Sequence, residues 1–335
     1  MRRGGEHPES VTTYIVAMIR PGTSHERTRE ASSACSLQVQ TVLYGHSPGE
    51  IWNFIEGVRA AARCARTRGV CGSVTLALGD SSTQRLIDGA MEEEIAQSLR
   101  DNGVDRFHYL YFGENRGSAG GQNSLFRIGG RTDFVFVTNP DAYLCPDVFC
   151  ELLPAFREDD VGIVEARQLP LEHPKSFDPA SGETGWASGA CMMVSAEVLD
   201  EVGDFDHETF FLYCDDVDFS WRTRLAGFRI IHRPSARVFH DKRLSPNGTL
   251  MASASEFYYS AEAALLMAWK YSRPDLVEKW SNELLQGGNP EHRRAVDEFR
   301  QRKAVSRLPR PLDPEGSVAS FFGYNYAEHR FGVGG

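Results

Sequence analysis

Residues 134–141 read Phe-Val-Phe-Val-Thr-Asn-Pro-Asp. Four apolar residues in a row, with nothing polar between them, fit a strand covered on both faces rather than one with a wet side. The chain then meets Asn139-Pro140-Asp141, three residue types that favour turns. A buried strand ending in an acidic turn is the repeating unit of an α/β sheet, in which ligands sit in the loops at the carboxyl ends of strands.

Outward from this stretch the same unit recurs. Strand-like 37–44 runs into Ser47-Pro48, a helix start with Pro in the first turn, and the helix continues to about Arg66. Strand 74–78, helix 84–99, strand 107–112 and helix 118–128 lead up to residue 134, and helix 146–156 and strand 162–166 follow it. The alternation predicts a mostly parallel sheet flanked by helices. Beyond Ser181 the spacing gives strand 187–195, helix 196–202, helix 215–226, strands 228–231 and 236–240, a turn at 245–248, and helices 253–271, 274–285 and 290–305. Phe257, Ala261, Ala264, Leu265 and Ala268 form one apolar stripe, which reads as core. The expected organisation is a loosely attached leader over 1–37 with one added strand at 14–19, a catalytic domain over 38–250, and a helical C-terminal extension over 251–335.

Composition narrows the classes. The 335 residues are 41% hydrophobic and 24% charged, which is ordinary globular composition and rules out fibrous and disordered chains. A net charge of −10 argues against a nucleic-acid partner. No apolar run reaches the ~18 residues of a membrane span, and Met1-Arg2-Arg3 is not followed by a signal-peptide core, so the expected location is cytoplasmic. Seven scattered cysteines without a CxxC pair read as buried thiols rather than a zinc or disulfide framework. The stretch 291–310 carries seven Lys/Arg against three Asp/Glu. Its plain reading is a solvated helix face; the alternative is peripheral contact with an anionic membrane. A homo-oligomer is compatible with the sequence.

Several residues have the chemistry of a site. Asp141, at the end of its strand, either caps a turn or supplies an oxygen to a divalent cation that bridges to phosphate. Asp215-Asp216-Val217-Asp218 opens a helix behind the apolar run Phe210-Phe-Leu-Tyr-Cys214. Carboxylates favour helix N-termini, yet desolvation and like charge also raise a carboxyl pKa toward that of a general base. His240 ends a short strand and reads either as packing or as a ligand. The run Asn115-Arg-Gly-Ser-Ala-Gly-Gly-Gln-Asn123 is a Gly-rich strand-to-helix turn that is neither a P-loop nor a dinucleotide fingerprint.

Taken in order, these motifs resemble family 2 glycosyltransferases of the GT-A fold, in the rhamnosyltransferase-like and galactofuranosyltransferase-like branch. The likeness rests on Thr41 to Ser47, Gly79-Asp-Ser-Ser82, Asn115 to Asn123, Asn139-Pro-Asp141, Ala187-Ser-Gly-Ala-Cys-Met-Met-Val194, Val202-Gly-Asp-Phe-Asp206, Phe210 to Asp218, Trp221-Arg222 through Gly227, and His240, and it covers about residues 38–270. It implies inverting transfer from a nucleotide-diphospho-sugar, dTDP-rhamnose or a UDP-sugar, to a hydroxyl of a saccharide, glycolipid or natural-product acceptor. By position it assigns Asp216 as general base with Asp215 as its acidic neighbour. Asp80 meets the base, with Tyr44, Asn115, Gly117 and Asn123 on the donor side. Asn139 and Asp141 face the diphosphate, Asp141 and His240 hold Mg²⁺ or Mn²⁺, and Trp186, Ser188 and Gly189 line the acceptor side. Asn139 stands where the family's metal motif more usually begins with Asp, and Gly45-His46 replaces a more usual Asn. The rival classes are a noncatalytic sugar-nucleotide or glycan-binding protein and a sugar nucleotidyltransferase.

Overall fold

The computed structural model describes residues 35–100, 102–240 and 253–330. The strand expected at 14–19 and the turn expected at 245–248 lie outside the described residues. The strands are β1 (Ser36–Leu43), β2 (Ser73–Asp80), β3 (Arg106–Tyr111), β4 (Phe134–Thr138), β5 (Ala142–Leu144), β6 (Val161–Leu169), β7 (Cys191–Ser195) and β8 (Arg229–His240). The helices are α1 (Pro48–Thr67), α2 (Gly89–Arg100), α3 (Gly117–Leu125), α4 (Val148–Leu152), α5 (Ala196–Glu201), α6 (Asp215–Leu225), α7 (Ala254–Lys270), α8 (Pro274–Gln286) and α9 (Pro290–Ala304).

All eight strands form one sheet, in the order β3-β2-β1-β4-β7-β6-β8-β5. The β3-β2-β1-β4 half is parallel throughout. In the other half, β6 and β8 are parallel, while β4–β7, β6–β7 and β5–β8 are antiparallel. The alternation of β4 shows why Phe134 to Val137 are all apolar. Phe134 and Phe136 join a core with α1 and α4, whereas Val135 and Val137 join a second core with α3, α5 and α6. The α1 start follows the sequence signal: Ser47 and Glu50 form a reciprocal capping box with Pro48 in the first turn.

Four expected elements differ in a physically readable way. The helix expected from residue 84 begins only at Gly89, because the Leu86 N–H is drawn to Asp80 and Asp88 caps the helix through the Met91 N–H. The helix expected over 146–156 tightens to a 3-10 turn from Leu153, where Pro154 removes a donor. The strand expected from residue 187 begins at Cys191, since the Ser188 and Gly189 N–H groups go to side chains instead of a neighbouring strand. Strands 228–231 and 236–240 are one strand, β8, whose register against β6 shifts between Ala166 and Arg167. The three-residue β5 was not expected.

The C-terminal helices build a third core on α6. Trp221 of α6 is fully buried against the rings of Tyr271, Phe321 and Tyr326. Of the expected stripe on α7, Ala261, Ala264, Leu265 and Ala268 are buried, whereas Phe257 stays at the rim beside the His292 ring. Buried Lys270 joins α7 to α6 through Asp218, at 2.6 Å, and reaches Asp206 at 2.7 Å. Asp218 is also held by Arg222 and by the Tyr271 hydroxyl. In α9, Arg294, Arg300 and Arg302 pair with Glu291, Asp297 and Glu298 on the same helix. All seven cysteines are free. Among the described residues no helix is long and apolar enough to cross a membrane.

Candidate active site

The carboxyl ends of β1, β2 and β4, the end of β8 and the start of α6 face one region. At β2, Asp80 is fully buried. Its oxygens accept from the Ser82 N–H, the Leu86 N–H and the Tyr109 hydroxyl at 2.9, 2.8 and 2.6 Å. Its carboxylate therefore shapes the loop after β2 from inside. That loop ties in its neighbours: the Ser82 hydroxyl accepts from the Gly45 N–H, and the Ser81 hydroxyl from the Arg116 N–H. Tyr44 stands beside it, 57% exposed.

The Gly-rich turn is bound to the loop before α6. Asn115 Oδ1 accepts from the Gly117 N–H. Gly117 has φ +66°, and a Cβ there would lie 2.2 Å from the Phe211 carbonyl oxygen. The next N–H, Ser118, donates to that same oxygen at 3.0 Å. Asn123 is taken up on both sides by the Phe205 backbone and lies 3.2 Å from His207. Asn115 and Asn123 thus organise the turn with side chains directed at protein groups.

Asn139, Asp141 and His240 come together although 101 residues separate the first from the last. Ala142 pairs with His240 across β5 and β8. His240 Nε2 lies 3.3 Å from Asn139 Nδ2 and 3.3 Å from Asp141 Oδ1. On the ring's other side, Nδ1 lies 2.8 Å from Gln168 Oε1. With Nδ1–H donating to Gln168, the Nε2 lone pair lies between the Asn139 amide, which can donate to it, and Asp141. Two acceptors then face each other, an arrangement that suits a cation.

Asp215 and Asp216 open α6 behind two residues in left-handed backbone, Tyr213 (φ 68°) and Cys214 (φ 59°). Non-glycine residues in that region store strain and concentrate at functional sites. Asp216 accepts from the Gly189 N–H at 2.9 Å and from its own helix at Val217. Burial pushes Asp216 above the usual carboxyl range, and the bonds from Gly189 and Val217 pull it back. Burial, and then the charge of Asp216, push Asp215 up to about 7, against a hydrogen bond from the Ser118 hydroxyl. Both carboxyls therefore lie above their ordinary range, Asp215 at about 7.

One short turn joins these two groups. Gly189 N–H meets Asp216, while the adjacent Ala190 carbonyl accepts from the Asn139 N–H at 3.2 Å and the Thr138 hydroxyl at 3.0 Å. Trp186 and Ser188, expected to line the acceptor side, are buried. Their backbone groups bind Lys175 and Glu165, two residues that sequence reading missed, as it missed Gln168. The signal was present in Gly162-Ile-Val-Glu-Ala166, where one acid interrupts an apolar strand. A separate open cavity of about 510 Å³ lies between residues 176–185 and 320–328; Tyr326 lines it and bonds Cys214.

No family model matches the chain. Over 146 residues it is 29% identical to the N-acetylglucosaminyl-diphospho-decaprenol L-rhamnosyltransferase of Mycobacterium tuberculosis, covering 33% of this chain and 47% of that protein. The chain thus spans about half the length of that relative. It is 24% identical over 233 residues to the low-salt glycan biosynthesis hexosyltransferase Agl10 of Haloferax volcanii, covering 56% of this chain and 75% of that one. The crystal structure of GalNAc-T7 with UDP, GalNAc and Mn²⁺ superposes with a TM-score of 0.54 at 10% identity, over 83% of this chain and 55% of that chain. That likeness is one of fold: the mixed sheet, its flanking helices and the helical extension are a GT-A architecture, distantly related to the family 2 enzymes the motifs resemble.

Proposed function

We propose that the chain is an inverting glycosyltransferase of the family 2, rhamnosyltransferase-like kind, moving a sugar from dTDP-rhamnose or a UDP-sugar to an acceptor hydroxyl. The observation that carries this reading is the Gly189–Ala190 turn. It ties buried Asp215 and half-buried Asp216, both with raised pKa, to an Asp–His–Asn group at the strand ends, so a base and a diphosphate site adjoin. The identities of the curated relatives support the same reading.

Asp216 takes the proton of the acceptor hydroxyl as it attacks the anomeric carbon; the leaving group departs on the opposite side, and the centre inverts in a single displacement. Asp215 adds negative charge beside the oxocarbenium-like carbon when ionised, and its own proton is held to near neutral pH. Asp80 and Tyr44 shape and flank the nucleobase end, and Asn139 faces the diphosphate. Among the described residues no group of three or more His, Cys, Asp and Glu gathers into a metal cage. The site nonetheless fits a cation that takes most of its ligands from substrate: Mg²⁺ commonly uses one or two carboxylates together with phosphates and water. Asp141 and His240 Nε2 would hold it, with Gln168 fixing the His ring. When bound, it would neutralise charge on the leaving diphosphate.

Calorimetry with a panel of dTDP- and UDP-sugars, first with Mn²⁺ and then with chelator, tests the donor half. One donor should bind, with affinity lost on chelation and in Asp141→Ala. N-acetylglucosaminyl-diphospho-decaprenol, which appears in the name of the mycobacterial relative, is the first acceptor to try. A glycoside product supports transfer, a nucleotide-sugar made from a triphosphate supports the nucleotidyltransferase, and donor binding without product across an acceptor screen supports the binding protein. Donor affinity that ignores both chelator and Asp141→Ala removes the cation from the reading.

A further inference from the structure

Glu165 and Lys175 are buried, paired and unused by the chemistry above. Glu165 lies on β6 opposite Met192 of β7 and His232 of β8, in the middle of the sheet. Its oxygens take three donors: Lys175 Nζ at 2.8 Å from both oxygens, the Ser188 N–H at 2.8 Å and His232 Nδ1 at 3.1 Å. Lys175 donates to the Trp186 carbonyl at 2.6 Å and sits 3.8 Å over the Trp186 ring. Burial alone would raise the Glu165 carboxyl, but Lys175 and His232 hold it down at about 2.

A buried ion pair is a poor way to gain stability, because apolar residues of similar volume often serve as well or better. What this pair supplies is geometry. Its bonds end on the carbonyl of Trp186 and the N–H of Ser188, and the next N–H along, Gly189, is the donor on Asp216. We propose that Glu165 and Lys175 are positioning residues for the transfer reaction: they clamp the Trp186–Gly189 turn so that its Gly189 N–H fixes the Asp216 carboxylate, and their opposed charges set the field at that carboxylate. The inference rests on Asp216 being the base. The charged and titratable groups that face Asp216 are Asp215 and Cys214 beside it in the chain, Lys175 and Glu165 behind the turn, and Tyr326 from the C-terminal segment.

The test measures Asp216 itself, without substrate. In ¹³C-aspartate-labelled protein its carboxyl resonance is assigned by its loss in Asp216→Asn and then titrated. Glu165→Gln keeps an acceptor for Ser188 but leaves Lys175 unopposed, so the midpoint should fall by about half a pH unit. Lys175→Met leaves Glu165 opposed only by His232, and the midpoint should rise by about as much. The double variant buries neither charge, so its midpoint should lie between those of the single variants, and above wild type to the extent that the freed turn loses the Gly189 bond to Asp216. Midpoints unmoved in both single variants, or moved in the same direction, overturn the proposal. If a single variant does not fold, amide exchange at residues 188 and 189 in the double variant decides: faster exchange than wild type supports the clamp, and equal protection removes it. In transfer assays the double variant should lower kcat with the donor KM within about twofold. A wild-type protein that moves no sugar while the midpoints shift as stated defeats the transferase reading and leaves the clamp; transfer with unmoved midpoints does the reverse.

Discussion

Replacing Gly117 with Ala puts a methyl group where the structure has no room. The Cβ would lie 2.2 Å from the Phe211 carbonyl oxygen and 2.9 Å from Phe211 Cδ2, at φ +66°. Gly203 supplies the control: its φ is +85°, and a Cβ there meets nothing within 4 Å. Left-handed backbone costs an alanine about 1–2 kcal/mol, and that cost applies to both positions. At Gly117 the loop must also move off, which breaks the Ser118 N–H bond to Phe211 and leaves a half-buried donor unpaired at about 1–3 kcal/mol more. The expected losses are about 1–2 kcal/mol for Gly203→Ala and roughly 2–5 kcal/mol for Gly117→Ala, or about 2–4 °C against 4–10 °C in Tm at ~2 °C per kcal/mol. Because Ser118 also supports Asp215, Gly117→Ala alone should depress turnover. Urea and thermal unfolding of the two variants measure the difference. Equal losses in both would refute the claim that the close approach, rather than the backbone angle, demands glycine at 117.

Asp216→Asn should retain donor binding by calorimetry and lose about 10²- to 10⁴-fold in kcat; near-wild-type turnover ends its assignment as the base. Lys270→Met strands Asp218 with one cation fewer and should destabilise by roughly 3–5 kcal/mol in urea unfolding, with part of that loss recovered by adding Asp218→Asn. Asp215 titrates near 7 in the folded chain and near its ordinary value, about 4, when unfolded, so the native state binds the extra proton between those limits. Its contribution to stability must therefore fall as pH rises from about 4 to 7. Asp215→Asn should remove that slope, and parallel stability curves for the two proteins would contradict the raised pKa.

The parts of the fold legible in the sequence were those specified locally. Ser47-Pro48-Gly-Glu50 carries a complete helix start, and Phe134 to Val137 declares burial on both faces, so α1 and β4 fall where expected. Elements that depend on distant partners were not legible. β5 exists because three residues after Asp141 find the end of β8, and β7 starts late because Glu165 and Asp216 claim the amides of Ser188 and Gly189. The same division holds at the site. Asp141, Asp216 and His240 stand at element ends, where a one-dimensional reading can find them. Gln168, Glu165 and Lys175 lie inside strand and loop, and only pairing across β6, β7 and β8 gives them work to do. Asn115, Asn123 and Asp80 were found as part of motifs, and the structure turns their side chains inward to build the loops.

The Lys270 contact also dictates where this chain can be recombined. A graft that exchanged the C-terminal helices between related chains at residue 250 would part Lys270 from Asp206 and Asp218, leaving a buried lysine without its carboxylates in one half and Asp218 with only Arg222 in the other. Any viable crossover has to carry the Asp206–Asp218–Arg222–Lys270–Tyr271 set as one inherited block, so the loop before α6 and the helices beyond β8 vary together or not at all.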